Sequence, residues 1–396
     1  MKKLEKSVPV IRFKGFSEAW EQRKLGEDVN FLNGRAYSQK ELLDKGKYKV
    51  LRVGNFNTND RWYYSDLELE ENKYANRGDL LYLWATNFGP EIWNQEKVIY
   101  HYHIWKLKIM NINVSKQYLY TWLITDKERI KQSTNGTTMV HVTKGHIEQR
   151  EFQIPPNLTE QQKIGTFFKQ LDDTIALHQR KLDTLKLMKK GLLQQMFPKR
   201  GENIPKIRFD DFDDIWEQRI LGEFLKESKI KGSNGSLAKK LTVKLWRKGV
   251  VPKEEIYTGS SATQYYIRKT GQFIYGKLDF LNQAFGIIPL ELDGYESTLD
   301  SPAFDIEESI NETFLLEYVS LARFYKYQGN IANGSRRAKR IHTDTFFEMP
   351  IPLPNSNEQQ KIGTFSRQID DLIALQQNKL EKLSSLKRFY LKNMFI

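Results

Sequence analysis

A turn followed by a run of cations, near the end of the chain, offers the strongest candidates for chemistry. Residues 333–340 read NGSRRAKR, so four cations fall within five positions after an Asn-Gly turn. Arginine can bind guanine edges or clamp phosphates, and the following lysine and arginine suit the phosphate backbone. An ordinary charged loop is the alternative. The segment predicts a nucleic-acid contact made by Asn333, Ser335, Arg336, Arg337, Lys339 and Arg340.

A short polar turn occupies the corresponding place 198 residues earlier in the chain. Residues 135–139 read NGTTM, and the side chains of Asn135, Thr137 and Thr138 could form hydrogen bonds with bases. A plain hairpin turn explains the same sequence equally well. The chemistry that these two turns offer is recognition rather than catalysis.

A second group of cations surrounds a tryptophan. The stretch 226–253 contains nine cations and one acid, and Lys244 and Arg247 flank Trp246 within it. Such a surface binds phosphates with an affinity that depends on salt and not on base sequence. A solvated charged face is an equally good interpretation. A looser counterpart in the first half contains Arg35, Lys45, Lys47, Lys49 and Arg52.

Two apolar strands, predicted at 79–84 and 272–275, each lead into a loop that carries amide side chains. Asn87 follows the first strand, and Asn282 and Gln283 follow the second. These amides can pair with adenine, although structural roles in turns are at least as common. Lys277, just after the second strand, joins them as a candidate DNA contact.

No arrangement typical of catalysis or metal binding emerges. Residues 271–277 match the first seven positions of a phosphate-binding loop, but Leu278 stands where Ser or Thr would contact magnesium. His101 and His103 alternate along a predicted strand, which favours a structural role over a metal site. The sequence also lacks an Asn-Pro-Pro-aromatic or Asp-Pro-Pro-aromatic tetrapeptide of the kind that holds a flipped adenine. We therefore predict no catalytic residue and no metal ligand in this chain.

The composition favours a polyanionic partner. The 396 residues carry a formal charge of +13 and a pI near 9.4, which is typical of nucleic-acid binding. No apolar run of 18 residues is present, so no membrane association is expected. The absence of cysteine excludes disulfides and thiolate metal sites and predicts a cytoplasmic location.

The candidate contacts lie in two blocks that are separated by a repeated segment. Residues 157–197 recur at 355–395 without a gap, with 23 of 41 positions identical. A second repeat heads each half, where residues 8–27 match 204–223 at 12 of 20 positions. The blocks between these repeats show almost no mutual identity. The order therefore predicts one scaffold that carries two different readers.

The longer repeat predicts two long helices. Apolar residues follow 4-3 spacing, which indicates helices that pair along a narrow stripe, and each helix would be roughly 55 Å long. Two polar residues, His178 and Gln376, stand at the midpoints of this stripe and would face each other in an antiparallel pair. A buried polar pair can fix the register, whereas exposed polar residues would simply be tolerated. The stripes comprise Ile164, Phe168, Leu171, Ile175, His178, Leu182 and Leu185 in one helix, and Ile362, Ser366, Ile369, Ile373, Gln376, Leu380 and Leu383 in the other.

The predicted fold class is α+β. Strands are predicted at 49–53, 79–84, 98–109 and 272–275, and helices at 116–131 and 312–327. We expect residues 8–27 to pack beside the end of the second long helix as 204–223 pack beside the first, giving pseudo-two-fold symmetry. The predicted domains are residues 1–156 and 199–354, and the predicted spacer helices are 157–198 and 355–396.

This organisation resembles the specificity subunit of type I restriction–modification systems. Glu-Gln-Gln-Lys-Ile occurs at 160–164 and 358–362, and Trp-Glu-Gln-Arg occurs at 20–23 and 216–219. The resemblance covers essentially the whole chain and depends on the doubled architecture rather than on one motif. It implies two globular target recognition domains of mixed strands and helices, joined by two long antiparallel helices that form a coiled-coil spacer. Each domain would read one half of an asymmetric, bipartite DNA site.

The resemblance also implies partners. Double-stranded DNA, two methyltransferase subunits and, through the assembled complex, motor-nuclease subunits are expected. S-adenosylmethionine, ATP and magnesium would bind to those subunits, and no cofactor would bind to this chain. Two other interpretations are a fragment of a fused DNA methyltransferase or nuclease, and a coiled-coil adaptor that binds no DNA. The missing methyltransferase motif argues against the first, and the positive charge argues against the second.

Overall fold

The computed structural model describes residues 8–56, 59–85, 87–133, 141–254, 259–330 and 340–395, and the backbone alone at 331, 334–335 and 338–339. The chain divides into two compact units. The first unit comprises residues 1–179 and 378–396, and the second comprises residues 180–377. Each unit therefore combines one variable block with about half of each long helix.

The long helices are α4 (Leu158–Met196) and α8 (Ser356–Asn393). The other helices of the first unit are α1 (Leu25–Asp28), α2 (Lys116–Ser133) and α3 (Lys144–Glu148). Its strands are β1 (Glu21–Lys24), β2 (Val29–Asn33), β3 (Tyr48–Leu51), β4 (Tyr63–Ser65), β5 (Tyr74–Ala75), β6 (Leu80–Leu83), β7 (Gly89–Ile92), β8 (Val98–Tyr100), β9 (Ile104–Ile109) and β10 (Glu151–Ile154).

The second unit contains three further helices, α5 (Glu312–Val319), α6 (Ala322–Ile331) and α7 (Thr343–Phe347). Its strands are β11 (Glu217–Ile220), β12 (Leu225–Ser228), β13 (Lys231–Asn234), β14 (Leu241–Val243), β15 (Val250–Pro252), β16 (Gln264–Ile267), β17 (Phe273–Tyr275), β18 (Phe285–Ile287), β19 (Glu296–Ser297), β20 (Ala303–Ile306), β21 (Gly334–Ser335), β22 (Ala338–Lys339) and β23 (Pro350–Leu353). The mixture confirms the α+β class.

The two blocks share a sheet that their sequences do not reveal. The antiparallel order β2-β9-β6-β7 in the first unit matches β12-β20-β17-β18 in the second. A two-stranded pair then joins the head segment to the strand before each long helix, as β1-β10 and β11-β23. The remaining strands differ. The first unit adds a four-stranded sheet, whereas the second adds β13-β16-β19 and two two-stranded ladders.

The predicted long helices are confirmed, and they run antiparallel within each unit. In the first unit Asp172 pairs with Lys387 at 2.5 Å, and the rings of Phe167 and Tyr390 lie 5.0 Å apart. In the second unit Lys189 of α4 pairs with Asp370 of α8 at 2.6 Å. Every residue of the predicted apolar stripes is buried or half-buried.

Two predicted elements are wrong in their continuity. The strand predicted at 98–109 is broken into β8 and β9 by a turn at residues 101–103, so the two histidines there do not alternate along a strand. The helix predicted at 312–327 is broken into α5 and α6 at residues 320–321. The Ser320 carbonyl accepts a hydrogen bond from the Gln283 side chain at 3.0 Å, so a partner from a distant loop occupies a carbonyl at this break.

The helix boundaries also bear on the predicted domain limits. α4 begins at Leu158 and α8 begins at Ser356, close to the predicted starts of the spacer helices. The two compact units are instead divided within the long helices. The limits 1–156, 157–198, 199–354 and 355–396 therefore stay a prediction about domains.

Candidate DNA interface

The repeated motifs hold each block on its long helix in the same way. Glu160 is fully buried and accepts hydrogen bonds from Nε and Nη2 of Arg12 at 2.6 and 2.8 Å. Glu358 is equally buried and accepts two from Arg208, both at 2.7 Å. Two parallel bonds between an arginine and a carboxylate fix orientation as well as distance. The glutamate of each repeated motif therefore locks the head segment onto the long helix.

The glutamine that follows this glutamate connects the helix to the block. The Gln161 side chain donates to the carbonyls of Pro155 and Asn113 at 2.8 and 2.9 Å and accepts from the Ser115 N–H at 2.8 Å. Gln359 makes the corresponding contacts with Pro354, Ser309 and Asn311. The repeated motif thus holds each variable block against its long helix.

The head segments pack where the sequence predicts. The Ile11 N–H donates to the Asn393 carbonyl at 2.9 Å, near the end of α8 in the first unit. In the second unit the Ile207 N–H donates to the Gln195 carbonyl at 3.0 Å, near the end of α4. The two units therefore have the same internal plan, with different surfaces in their variable blocks.

Two candidate arginines of the first unit lie against tyrosine rings. The Arg35 guanidinium lies 5.2 Å from the Tyr37 ring centroid, and that of Arg52 lies 4.2 Å from the Tyr63 centroid. Arg61, which the sequence interpretation missed, lies 4.9 Å from the same Tyr63 ring. Among the described residues, the Arg35 Nη1 and Arg52 Nε atoms are buried and have no hydrogen-bond partner. Neither atom reaches the surface, so neither can bind a ligand without a rearrangement of the surrounding residues.

A histidine neighbours Arg35. His101 forms an isolated β-bridge with Arg35, and burial, followed by the charges of His103 and Arg52, lowers the pKa of His101 to about 4. The imidazole is therefore neutral at pH 7 and adds a polar group without adding charge. The described part of the chain contains no group of three or more His, Asp or Glu arranged to hold a metal ion.

An aromatic cavity of about 500 Å³ opens near the turn at residues 101–103. Trp84 forms one wall, its Nε1 donates to the Tyr102 carbonyl at 2.7 Å, and its ring lies 5.9 Å from His141. Sequence reasoning noted the Trp84 segment only for its amide. The available signal was a tryptophan at the end of an otherwise apolar strand. Asn87, the candidate amide of this loop, is exposed.

Lys277 and Arg340 of the second unit lie near each other. The Lys277 carbonyl accepts from the Ile341 N–H at 3.1 Å, and Asp300 pairs with Arg340 at 3.4 Å. Burial is the main cause that lowers the pKa of Lys277, and the charges of Lys229 and Arg340 add to it. The structure therefore brings together Lys229, Lys277 and Arg340 from three parts of the sequence. The sequence analysis did not single out Lys229.

Other candidates of the second unit have partners inside the protein. Arg247 makes a two-pronged ion pair with Glu317 at 2.5 and 3.0 Å. The Asn282 amide donates to Asp279 at 3.1 Å, and Gln283 donates to Ser320 as described above. These contacts give Arg247, Asn282 and Gln283 structural roles, whereas Lys244 is exposed. A direct contact between the three and DNA stays a prediction.

Some of the candidates lie outside the part of the chain that the structure describes. Asn135, Thr137, Thr138, Asn333, Arg336 and Arg337 lie outside the described residues. The backbone places Ser335 and Lys339 in the β21–β22 hairpin. His178 and Gln376 are both half-buried but belong to different units, so their direct contact stays a prediction.

Comparisons with known proteins identify the family. The family described as "Type I restriction modification DNA specificity domain" matches residues 17–187 and 214–385. The MjaVIII specificity subunit of a type I restriction enzyme from Methanocaldococcus jannaschii is 24% identical over 392 residues, covering 94% of this chain and 91% of that protein.

Solved structures show the same fold. The S subunit of a type I restriction–modification system from M. genitalium matches with a TM-score of 0.65 at 13% identity, covering 98% of this chain and 99% of that one. A chain from a structure of type I system assembly and conformational transition matches with a TM-score of 0.55 at 14% identity, covering 94% and 96%. Because the family match extends over both halves, this chain belongs to the type I restriction–modification DNA specificity family.

Proposed function

We propose that this chain reads an asymmetric, bipartite DNA site, with one half-site recognised by each unit. The observation that carries the proposal is one repeated framework holding two different surfaces. Buried Arg12–Glu160 and Arg208–Glu358 pairs fix the same plan in both units. The first block presents arginines on tyrosine rings, and the second presents lysine and arginine near β17. Unlike surfaces suit unlike base sequences.

Two kinds of DNA contact are expected from the chemistry of DNA. Cations bind phosphates and hold each unit in register, whereas side chains that reach base edges carry the sequence preference. We assign phosphate binding to Arg52 in the first unit and to Arg340 in the second. In both roles the chain binds and positions DNA and does not itself catalyse a reaction.

The proposal includes the other members of the complex. Methyltransferase subunits would methylate adenine with S-adenosylmethionine, and motor-nuclease subunits would use ATP and magnesium for cleavage. Two methyltransferase subunits would dock on this chain. Family membership supports these assignments, and no cofactor is proposed to bind to this chain itself.

The experiment is co-expression with a candidate methyltransferase subunit, followed by mapping of methylated adenines across the genome. We expect an interrupted, non-palindromic motif that appears only when this chain is present. Arg52→Ala and Arg340→Ala should each lower the extent of methylation at every copy of the motif without changing its sequence, because a phosphate contact carries no base information. A motif that is unchanged without this chain would overturn the proposal. A chain that shows no salt-dependent DNA binding would instead favour the adaptor interpretation.

The exposed alanine variant Leu290→Ala provides the matched control for these substitutions. Leu290 is 76% exposed and belongs to the second unit. It should leave the extent of methylation unchanged, because it removes no cation. An equal change in Leu290→Ala and Arg340→Ala would show that the effect is not specific to the arginine.

A further inference from the structure

The hairpin tip between β14 and β15 exposes a tryptophan. All eight tryptophans of the chain lie in the described residues, and Trp246 is the one that is exposed, at 55%. Its neighbour Leu245 is 38% exposed. Tryptophan is the largest apolar side chain, and leaving it in water forgoes a large hydrophobic stabilisation. The exposure of Trp246 therefore indicates that its side chain has a binding partner.

The backbone at this tip is strained. Trp246 has a φ of 59° and Arg247 a φ of 55°, and Gln283 in the contacting loop has a φ of 53°. These are the non-glycine residues with positive φ among the described residues, and all three lie at one contact. Residues other than glycine adopt this left-handed backbone region at a steric cost, and such strain persists only where the surrounding structure imposes it.

The surrounding structure imposes it through specific bonds. The Trp246 and Arg247 N–H groups donate to the carbonyls of Asn282 and Gln283 at 2.7 and 3.1 Å. The Arg247 side chain also donates two hydrogen bonds to the buried Glu317 carboxylate of α5. Arg247 is therefore an anchor, and the residue that this anchor presents to solvent is Trp246.

The charges around the ring indicate what it meets. Lys244 and Lys248 are exposed on either side, and the stretch 241–253 contains no acid. A flat apolar ring between two cations suits nucleic acid, since aromatic and apolar side chains pack against bases while lysines bind phosphates. Duplex DNA is the member of this class that the proposed function supplies.

We propose that Trp246 is a DNA-contacting residue of the second unit, whose ring packs against base pairs while Lys244 and Lys248 bind the flanking phosphates. This inference rests on the proposed function and adds a residue to its specificity surface. It also assigns Arg247 a positioning role, because that side chain faces Glu317 rather than the solvent.

The test measures binding of the full chain to a DNA duplex containing the mapped site, over a range of salt concentrations. Trp246→Ala should weaken binding about tenfold with an unchanged salt slope, because an uncharged ring releases no counterions. Lys244→Ala and Lys248→Ala should each reduce the slope by about 0.9. Trp246→Phe should retain most of the affinity, because it keeps an aromatic face.

Controls separate this inference from its premise. Leu290→Ala removes an exposed apolar side chain elsewhere in the unit and should change neither affinity nor slope. If the wild-type chain does not bind the duplex, the proposed function itself fails. If the wild type binds and Trp246→Ala binds equally well, the Trp246 inference alone is overturned. Weakened assembly with the methyltransferase subunit, with DNA binding unchanged, would also overturn it, because the surface would then meet protein.

Discussion

Glu317 shows how a buried carboxylate is kept charged by residues from distant parts of the second unit. It is 2% exposed and bonds to Arg247, to Lys189 at 2.9 Å and to Ser366 at 2.6 Å. Burial by itself would raise the pKa of Glu317, but the charge and hydrogen bonds of Arg247, followed by Lys189 and Ser366, lower it to about 2. The network connects the strained tip to both long helices within this unit.

This pKa predicts how the stability of the second unit depends on pH. Because the pKa is lower in the folded state than its ordinary value near 4.3, Glu317 stabilises the fold above that pH by about 3 kcal/mol. The contribution should be lost as the pH falls towards 2. Urea unfolding of Glu317→Gln should therefore show a deficit at pH 7 that shrinks below pH 4. The exposed Glu291→Gln provides the control. A deficit that stays constant down to pH 3 would contradict the assignment.

Arg247 also marks a limit of sequence reasoning at this scale. The cations and tryptophan between residues 244 and 248 predict a nucleic-acid contact, but the sequence cannot tell which cation faces the solvent. Arg247 meets a carboxylate 70 positions away, whereas Lys244 and Lys248 stay exposed. Only the fold assigns these different roles to neighbouring residues of like charge.

At the scale of elements, the glycine of each repeated helix motif allows close packing. A Cβ on Gly363 would lie 2.5 Å from Oδ1 of Asn311, the atom that caps α5 by accepting from the Phe314 N–H at 2.9 Å. A Cβ on Gly165 would lie 2.8 Å from the Gln117 Cβ in the first unit. The glycine is thus the position where the long helix meets the start of a block helix.

Alanine substitutions on the two long helices should therefore have opposite effects. Gly363→Ala should destabilise the second unit by about 1–3 kcal/mol, because the capping side chain must move. Gly191→Ala should stabilise it by up to about 1 kcal/mol, because a Cβ there meets nothing within 4 Å and alanine favours the helix. Thermal unfolding of both variants checks the prediction. Shifts of the same sign would contradict the packing argument.

The register of the long helices gives a second prediction. In the first unit Asp172 pairs with Lys387. Because the helices are antiparallel, His178, which lies six residues after Asp172, is level with residue 381, which lies six residues before Lys387. The contact between the rings of Phe167 and Tyr390 places His178 level with residue 379 by the same reasoning. Leu380, the residue of the apolar stripe between these positions, is therefore the expected neighbour of His178.

Disulfide formation can test this register, because the chain contains no native cysteine. His178→Cys combined with Leu380→Cys should oxidise faster than His178→Cys combined with Gln376→Cys. The reverse order would instead support direct contact between His178 and Gln376. Either result measures the register without relying on a stability effect.

At the scale of the whole molecule, the repeated framework makes the blocks separable in principle. The polar contacts of the repeated motif that tie the head segment and the first block to the long helix come from Arg12, Glu160 and Gln161, all outside residues 28–152. Some of their partners, such as Asn113 and Ser115, are within the block and interact largely through the backbone. A foreign block with the same backbone plan can make these bonds.

Exchange of residues 28–152 for the corresponding block of another family member should change one half-site and leave the other intact. The reason is that the second unit keeps its own sheet, loops and cations. Mapping of methylated adenines before and after the exchange measures both halves together. A change in both halves would show that the units do not read DNA independently.

The doubled architecture of this protein can be read from its amino-acid sequence alone. Helical periodicity and identity between repeats are local or internal signals, so the long helices, the head segments and the α+β class could be predicted. The repeated Glu-Gln-Gln motif could be located, but its role depends on Arg12 and Arg208, which lie 148 and 150 positions away. No local pattern specifies such a pairing.

The tertiary structure was needed to show which candidate side chains face outward. It paired Arg247 with Glu317, placed Arg52 on the Tyr63 ring, and broke a predicted helix at Ser320, whose carbonyl accepts a hydrogen bond from Gln283. It also revealed a strained backbone that holds Trp246 in water. These features depend on contacts between residues far apart in the sequence, and charge and periodicity along the chain do not encode them.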